Sequence, residues 1–385
     1  MKRVSGPSNA PGFGSISLAA SAVVPVMPRR MQITEPRDVT RLRMRVENAD
    51  LSSPDLQGVG QSVTGDVIGD DWTLSFVEGT YRAWYRTGDD GNSLGWGESG
   101  NGVGFSTRAT SPLLVPGGEG AWDAGAIRRA SVLPYADAYY FYYEGHDAEG
   151  RSRIGLAISD DALVGSVSKY DVGGDLDASN DFVVGPSASG LVREEEVGSP
   201  WVVQRSEGAY VMWYTSVQSG ELSVNTISSV DRINWDVATK APVRFYANFQ
   251  DGDLADEVSI PGARDPIGYW DEVADRFHLW FVRPFGDGSC LAYAQSDGSS
   301  AQFKIGSLEQ GDVGDGCVTL PGEGLIRSPS ISRDGFLLHL WYVSAPSADA
   351  EDWTLHYARG FNGIDWYPVD AIASLGGGSV RRRKS

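Results

Sequence analysis

Short runs in which apolar and polar residues alternate recur along most of the chain, separated by glycine-rich polar turns. Five of these runs, TYRAWYRTG, AYYFYYEG, AYVMWYTS, RFHLWFVR and LLHLWYVS, carry an aromatic pair: Trp84-Tyr85, Tyr142-Tyr143, Trp213-Tyr214, Trp280-Phe281 and Trp341-Tyr342. A two-residue period is the mark of a strand with one buried face. The pairs lie 58, 71, 67 and 61 residues apart, a spacing that belongs to a repeated unit rather than to a single hairpin.

Each unit holds more than one strand. Before four of the pairs lies an apolar run that opens at a small residue or proline (RRASVLPY, GSPWVVQR, RDPIGYW, RSPSISRD), and DDWTLSFVEG takes that place in the first unit. After each pair comes a third run: GVGFSTR, IGLAISDD, ELSVNTIS, CLAYAQSD or LHYARGF. Fourth strands follow, clearest in DRINWDV and NGIDWYPV. Five units of three to four strands predict an all-β, five-bladed β-propeller of four-stranded antiparallel blades around a central channel, spanning residues 35–375. The aromatic pairs then pack blade on blade as core.

Composition narrows the picture. The 385 residues include 48 glycines, and 41% are hydrophobic, enough for a sizeable core. Fifty-one acidic residues against 32 basic give a net charge of −19, which argues against a nucleic-acid partner. The longest apolar stretch, residues 15–27, is interrupted by serines and a proline and is too short to span a membrane. The two cysteines, Cys290 and Cys317, make neither a disulfide framework nor a zinc pattern, and read as small buried hydrophobes. There is no dedicated metal constellation and no cofactor motif; the GEG and GDG clusters read as turns.

The ends differ from the middle. No acidic residue precedes Glu35, and the leader 1–34 carries Lys2, Arg3, Arg29 and Arg30 among scattered serines, as organelle transit peptides do; a secretory signal and an untargeted leader are the competing readings. Residues 376–385 read as a flexible basic tail. Without the four basic residues of each end, the core keeps 24 basic residues against 51 acidic, or −27.

Units such as YYFYYEGHDAEGRSRIGLAISDD, GSPWVVQRSEGAYVMWYTS and RDPIGYW…FHLWFVR resemble blades of the five-bladed propeller glycosidases, the arabinanase, xylosidase, levansucrase and invertase superfamily with its related mannoside phosphorylases (glycoside hydrolase families 43, 32, 68 and 130). The resemblance covers roughly residues 60–370 and implies a carbohydrate-active enzyme whose carboxylates sit where inner strands start. Glycoside hydrolysis needs one carboxyl to protonate the leaving oxygen and a second to activate water or attack carbon. Aligned on the aromatic pairs, the Asp-Pro position of the family falls on Asp71, Arg129, Ser199, Asp265 and Ser328. Asp71 is therefore the candidate base or nucleophile, and Asp265 an orienting carboxylate. The chain departs from the family pattern at Arg129, where a second Asp belongs, and at Gly198, where the acid Glu belongs; Glu196, after Glu194 and Glu195, is the candidate acid.

Arginine recurs just before that position, at Arg128, Arg264 and Arg327, with Arg129 alongside. Arginine forks at a channel mouth suit a uronate, a sugar phosphate or inorganic phosphate, and each is equally explained as the neutraliser of a nearby Asp or Glu. Glu144 and His146, in a loop after the second aromatic strand, are candidate rim residues, while His278, His339 and His356 lie in strands and read as packed or edge residues. The leading expectation is a glycoside hydrolase acting in the axial pocket on a carbohydrate. Phosphorolysis is the variant in the same class, and a non-catalytic glycan- or protein-binding propeller the rival from another.

Overall fold

The computed structural model describes residues 71–368, apart from 78, 88–90, 103–104, 109–110, 137, 160–166, 173–179, 188–191, 251–252, 307–315, 321–323 and 348–353. The leader 1–34 and the tail 376–385 lie outside the described residues. Five antiparallel blades follow one another along the chain. Blade one is β1 (Trp72–Val77), β2 (Thr80–Thr87), β3 (Ser93–Ser99) and β4 (Ser106–Thr107); blade two is β5 (Ala126–Tyr135), β6 (Ala138–His146), β7 (Ser152–Ser159) and β8 (Val167–Lys169). Blade three is β9 (Glu196–Ser206), β10 (Ala209–Gln218), β11 (Glu221–Ser229) and β12 (Trp235–Pro242). The hairpin β13 (Arg244–Gln250) and β14 (Asp253–Val258) precedes blade four, which is β15 (Arg264–Asp271), β16 (Arg276–Phe285), β17 (Gly288–Ser296) and β18 (Gln302–Ile305). Blade five is β19 (Leu325–Asp334), β20 (Leu337–Ala345), β21 (Thr354–Gly360) and β22 (Trp366–Pro368). Among the described residues there is no helix long and apolar enough to cross a membrane.

The first strand of each blade lines the channel, and these inner strands are neighbours around the ring, β19 closing on β1. The aromatic pairs are core, as their period demanded: all ten side chains are 2% exposed or less. They also join the blades. In four of the five pairs the first aromatic residue donates to a carbonyl in the turn between the third and fourth strands of the next blade, Tyr142 to Arg232, Trp213 to Ser300, Trp280 to Gly363 and Trp341 to Gly102, at 2.7 to 3.1 Å, whereas Trp84 Nε1 has no hydrogen-bond partner among the described residues. An amphipathic ring can fill an interblade space and still satisfy its one polar atom, which explains why Trp and Tyr hold this place. Trp72, Leu74 and Tyr81 share a core cluster with Trp341, Val343 and Leu355, so blades one and five are sealed by the same packing.

Three details differ from the sequence reading. The third strand of blade one is SLGWGES, not GVGFSTR, whose Ser106-Thr107 forms the short fourth strand. Blade four is extended to six strands because β13 pairs in parallel with β18. Cys290 and Cys317 are not free hydrophobes: they form a disulfide, with Cα atoms 5.7 Å apart. After β18 the chain runs back along β17, with Ala292 bridged to Cys317 and Val318 N–H bonded to Leu291 O at 2.9 Å, and this return brings the two thiols together.

Candidate active site

Strand register fixes which positions at the channel mouth are equivalent. Thr73 pairs with Trp84, Ser131 with Tyr142, Trp201 with Trp213, Ile267 with Trp280 and Ser330 with Trp341. Two residues before each inner partner stand Asp71, Arg129, Ser199, Asp265 and Ser328, as the aromatic pairs predicted. In blades two to five the ladder is bulged here. Pro200, Pro266 and Pro329 have no N–H to give to it. The residue before each proline, Ser199, Asp265 or Ser328, has φ of 45°, 52° or 47°. A left-handed backbone costs a residue with a Cβ about 1–2 kcal/mol, and strain of this kind collects at functional sites.

The carboxylates around the mouth have distinct partners. Asp71 lies 3.5 Å from Arg86 Nη1 and 3.6 Å from Arg128 Nη1. Asp265 accepts the Ser199 hydroxyl at 2.8 Å, with Arg129 Nη1 at 3.7 Å and Arg264 Nε at 3.9 Å, while its own N–H donates to Thr215 Oγ1. Glu144 accepts the Ser199 N–H at 2.7 Å and pairs with His146 Nε2 at 2.7 Å. His146 Nδ1 stands 3.1 Å from Gly150 O. A carboxylate and a carbonyl are both acceptors, so this geometry favours the protonated imidazolium, in which both ring nitrogens donate. Burial opposes charge on each member of this pair. The mutual hydrogen bond and charge attraction, joined by the Ser199 N–H on Glu144 and Gly150 O on His146, together outweigh it, placing Glu144 below and His146 above their ordinary values.

Arg129 stands where the resemblance implies an Asp, and it is 2% exposed. Burial pulls its guanidinium below the ordinary value, opposed by the fields of Asp265, Asp71 and Glu144, so one buried cation sits among three site carboxylates. Its Nη2 donates to Pro329 O, tying blade two to blade five, whereas Nε and Nη1 make no hydrogen bond among the described residues.

A cavity of about 200 Å³ opens beside this cluster, with Glu144, His146, Glu196, Ser199, Arg264 and Asp265 in its wall. Glu196 accepts a long contact from Ser152 Oγ at 3.4 Å. No Lys, Arg or His lies within ion-pair distance of it among the described residues, unlike Glu144 and Asp265. The two glutamates before it face elsewhere: Glu194 is buried on Lys240, Tyr214 and Asn225, and Glu195 caps the turn at Ser219 and Gly220. A Cβ at position 198 would lie 2.4 Å from Glu144 Oε2, so a side chain there would require the Glu144 carboxylate to move.

Six of the nine residues singled out in the sequence, Arg129, Glu144, His146, Glu196, Arg264 and Asp265, thus meet through direct contacts or a shared cavity wall, while Asp71 and Arg128 contact one another and reach the rest through their fields at Arg129 and Glu144, as Arg327 does at Arg264. Sequence reasoning missed Arg86, hidden in the alternation of β2, and it gave Ser199 and Thr215 no role. Among the described residues no group of three or more His, Cys, Asp or Glu side chains could hold a metal ion.

No protein-family model matches the chain, and no curated protein matches it in sequence. Solved structures do match in shape. A thermostable family-43 glycoside hydrolase superposes with a TM-score of 0.53 at 14% identity, covering 78% of this chain and 92% of its own. A β-xylosidase gives 0.53 at 14% identity over 80% and 97%, and a subfamily 43_1 enzyme from Xanthomonas citri, complexed with xylotriose, gives 0.53 at 13% over 83% and 99%. The class of fold is therefore the five-bladed propeller found in family-43 glycoside hydrolases.

Proposed function

We propose that the protein is a glycoside hydrolase that cleaves an oligosaccharide or other glycoside in its axial pocket. What supports this reading is the contrast between two carboxylates: Asp71 is flanked by two guanidiniums, and Glu196 lines the cavity with no basic partner among the described residues. A carboxylate flanked by cations stays charged, the state a base or nucleophile needs. An acid must keep its proton until the leaving oxygen takes it, and a guanidinium partner works against that. Asp71 is accordingly assigned as base or nucleophile and Glu196 as general acid. Asp265, fixed by Ser199 and the arginines, is assigned as the orienting carboxylate, and Glu144 with His146 as a wall that meets the sugar. The shared fold supports the reading by analogy, while the chemistry is argued from the site because a fold alone does not dictate it.

The test is a panel of aryl glycosides and oligosaccharides offered to the full chain with and without inorganic phosphate. Turnover that is independent of phosphate is the predicted result. Turnover that requires phosphate would make the enzyme a phosphorylase, and no turnover together with sugar-dependent thermal stabilisation would make it a binding propeller.

A further inference from the structure

We propose that the buried ion pair between Glu194 and Lys240 is a clasp that positions Glu196, so that side chains outside the pocket govern how well the acid delivers its proton. The proposal rests on reading the axial pocket as a hydrolase site with Glu196 as its acid. Glu194 Oε2 meets Lys240 Nζ at 2.6 Å, and the two side chains are 0% and 2% exposed. Donors from all three outer strands of blade three converge on this carboxylate: the Tyr214 hydroxyl of β10 at 2.7 Å, Asn225 Nδ2 of β11 at 2.8 Å and Lys240 of β12. The segment arriving from blade two completes the arrangement. Ser187 N–H donates to Glu194 Oε2 at 3.2 Å, Gly185 O accepts from Lys240 Nζ at 2.7 Å, and Glu194 N–H donates to Ser187 O at 2.8 Å. That segment is anchored on blade two, where Val184 bridges Ile154 of β7.

Stability alone does not explain a charge pair at this place. Taking two charges out of water costs about as much as their attraction returns, and apolar residues of similar volume commonly serve as well. Five residues before Arg129 and Asp265, the entries to blades two and four carry Ala124 and Ile260, where blade three has Glu194. Apolar packing does not supply direction. A buried carboxylate with donors on both oxygens has few arrangements that satisfy them, and it fixes the backbone on which it stands.

Glu196 depends on such a hold. Among the described residues its side chain meets a polar group only at Ser152 Oγ, 3.4 Å away, so its place in the cavity wall is set by the start of β9. Glu195 extends the hold: its N–H donates to Val217 O at 2.8 Å, and Val217 is the register partner of Glu196. A general acid must lie within hydrogen-bond reach of the leaving oxygen, and a displacement of about 1 Å caused far from the chemistry costs on the order of a hundredfold.

The experiment compares the full native chain with a double variant, Glu194→Leu with Lys240→Met, that removes both charges and keeps volume. The double variant should melt within a few degrees of the native chain. Its kcat on glycosides with poor leaving groups should fall roughly tenfold or more with KM unchanged, and activated aryl glycosides should be slowed far less. In a Glu196→Gln background the same two substitutions should slow poor leaving groups no further, because the acid is already absent. Hydrogen exchange read by mass spectrometry should quicken over residues 192–198 and stay as in the native chain over 126–131 and 264–268. A folded double variant that keeps native turnover of both substrate classes, slows both equally, or slows the Glu196→Gln protein by its full factor overturns the proposal. If the double variant does not fold, Tyr214→Phe, which drops one bond to Glu194 and keeps the ring, is read in the same way with a smaller expected effect. Native turnover whose leaving-group dependence ignores these substitutions would sink the clasp alone. Absence of turnover of any glycoside by the native chain would sink the hydrolase reading alone, and exchange then decides the clasp: faster exchange confined to 192–198 sustains it, and unchanged or chain-wide faster exchange overturns it.

Discussion

Ser199 gives its hydroxyl hydrogen to Asp265 at 2.8 Å across the boundary between blades three and four. Ser199 has a left-handed backbone, and its N–H is held by Glu144 of blade two. Three blades thereby fix the direction of one carboxylate.

Ser199→Ala removes that bond without adding bulk. A bond to a charged group contributes about 1.5–3 kcal/mol. If Asp265 orients the sugar or sets the pocket field, kcat/KM should fall roughly tenfold to a hundredfold, alongside a fall of a few degrees in melting temperature. Threonine at 199, which restores the hydroxyl, should recover part of the loss; steady-state kinetics on the three proteins checks this.

The Glu144–His146 pair predicts a pH window. His146 is raised above 6.5, so its contribution to stability is complete below that value and is lost as pH rises through the raised value. Glu144 is lowered below 4.5, so its contribution is complete above that value and is lost as pH falls through the lowered one. The pair is therefore most stabilising between 4.5 and 6.5. Melting temperature measured against pH should decline above this window in the native chain, and His146→Gln should flatten that decline.

Most of the architecture was legible because strand period and aromatic pairs are local signals. Register bears out the alignment that placed Asp71, Arg129, Ser199, Asp265 and Ser328 on equivalent ground, because each blade repeats the same distance from inner strand to aromatic pair. The roles of Ser199 and Arg86 were not legible, since they arise from contacts between residues far apart in sequence or from the middle of an ordinary strand. The Cys290–Cys317 bond was misread for a related reason: two cysteines 27 residues apart carry no pairing information until the chain is seen to return along β17.

That disulfide should matter for stability. Closing a loop of 27 residues restricts the unfolded chain by an amount worth about 3–4 kcal/mol. Cys290→Ser with Cys317→Ser, or reduction of the native protein, should lower the free energy of chemical denaturation by up to that amount. The channel mouth lies in other elements, so turnover at low temperature should persist.

Glu196 has a signature of its own as general acid. Glu196→Gln should slow glycosides with poor leaving groups by about a hundredfold or more, and those with strongly activated aryl leaving groups far less, because the latter need no proton. Equal slowing of both classes would remove the assignment.

The most direct measurement is the rate at which Asp71→Asn, confirmed as folded by its melting curve, turns over whichever glycoside the native chain cleaves. Asparagine keeps the shape and loses the charge that Arg86 and Arg128 flank. The account predicts a loss of roughly a hundredfold to ten-thousandfold in kcat with sugar binding retained. Undiminished turnover would contradict it and place the chemistry away from the mouth of the channel.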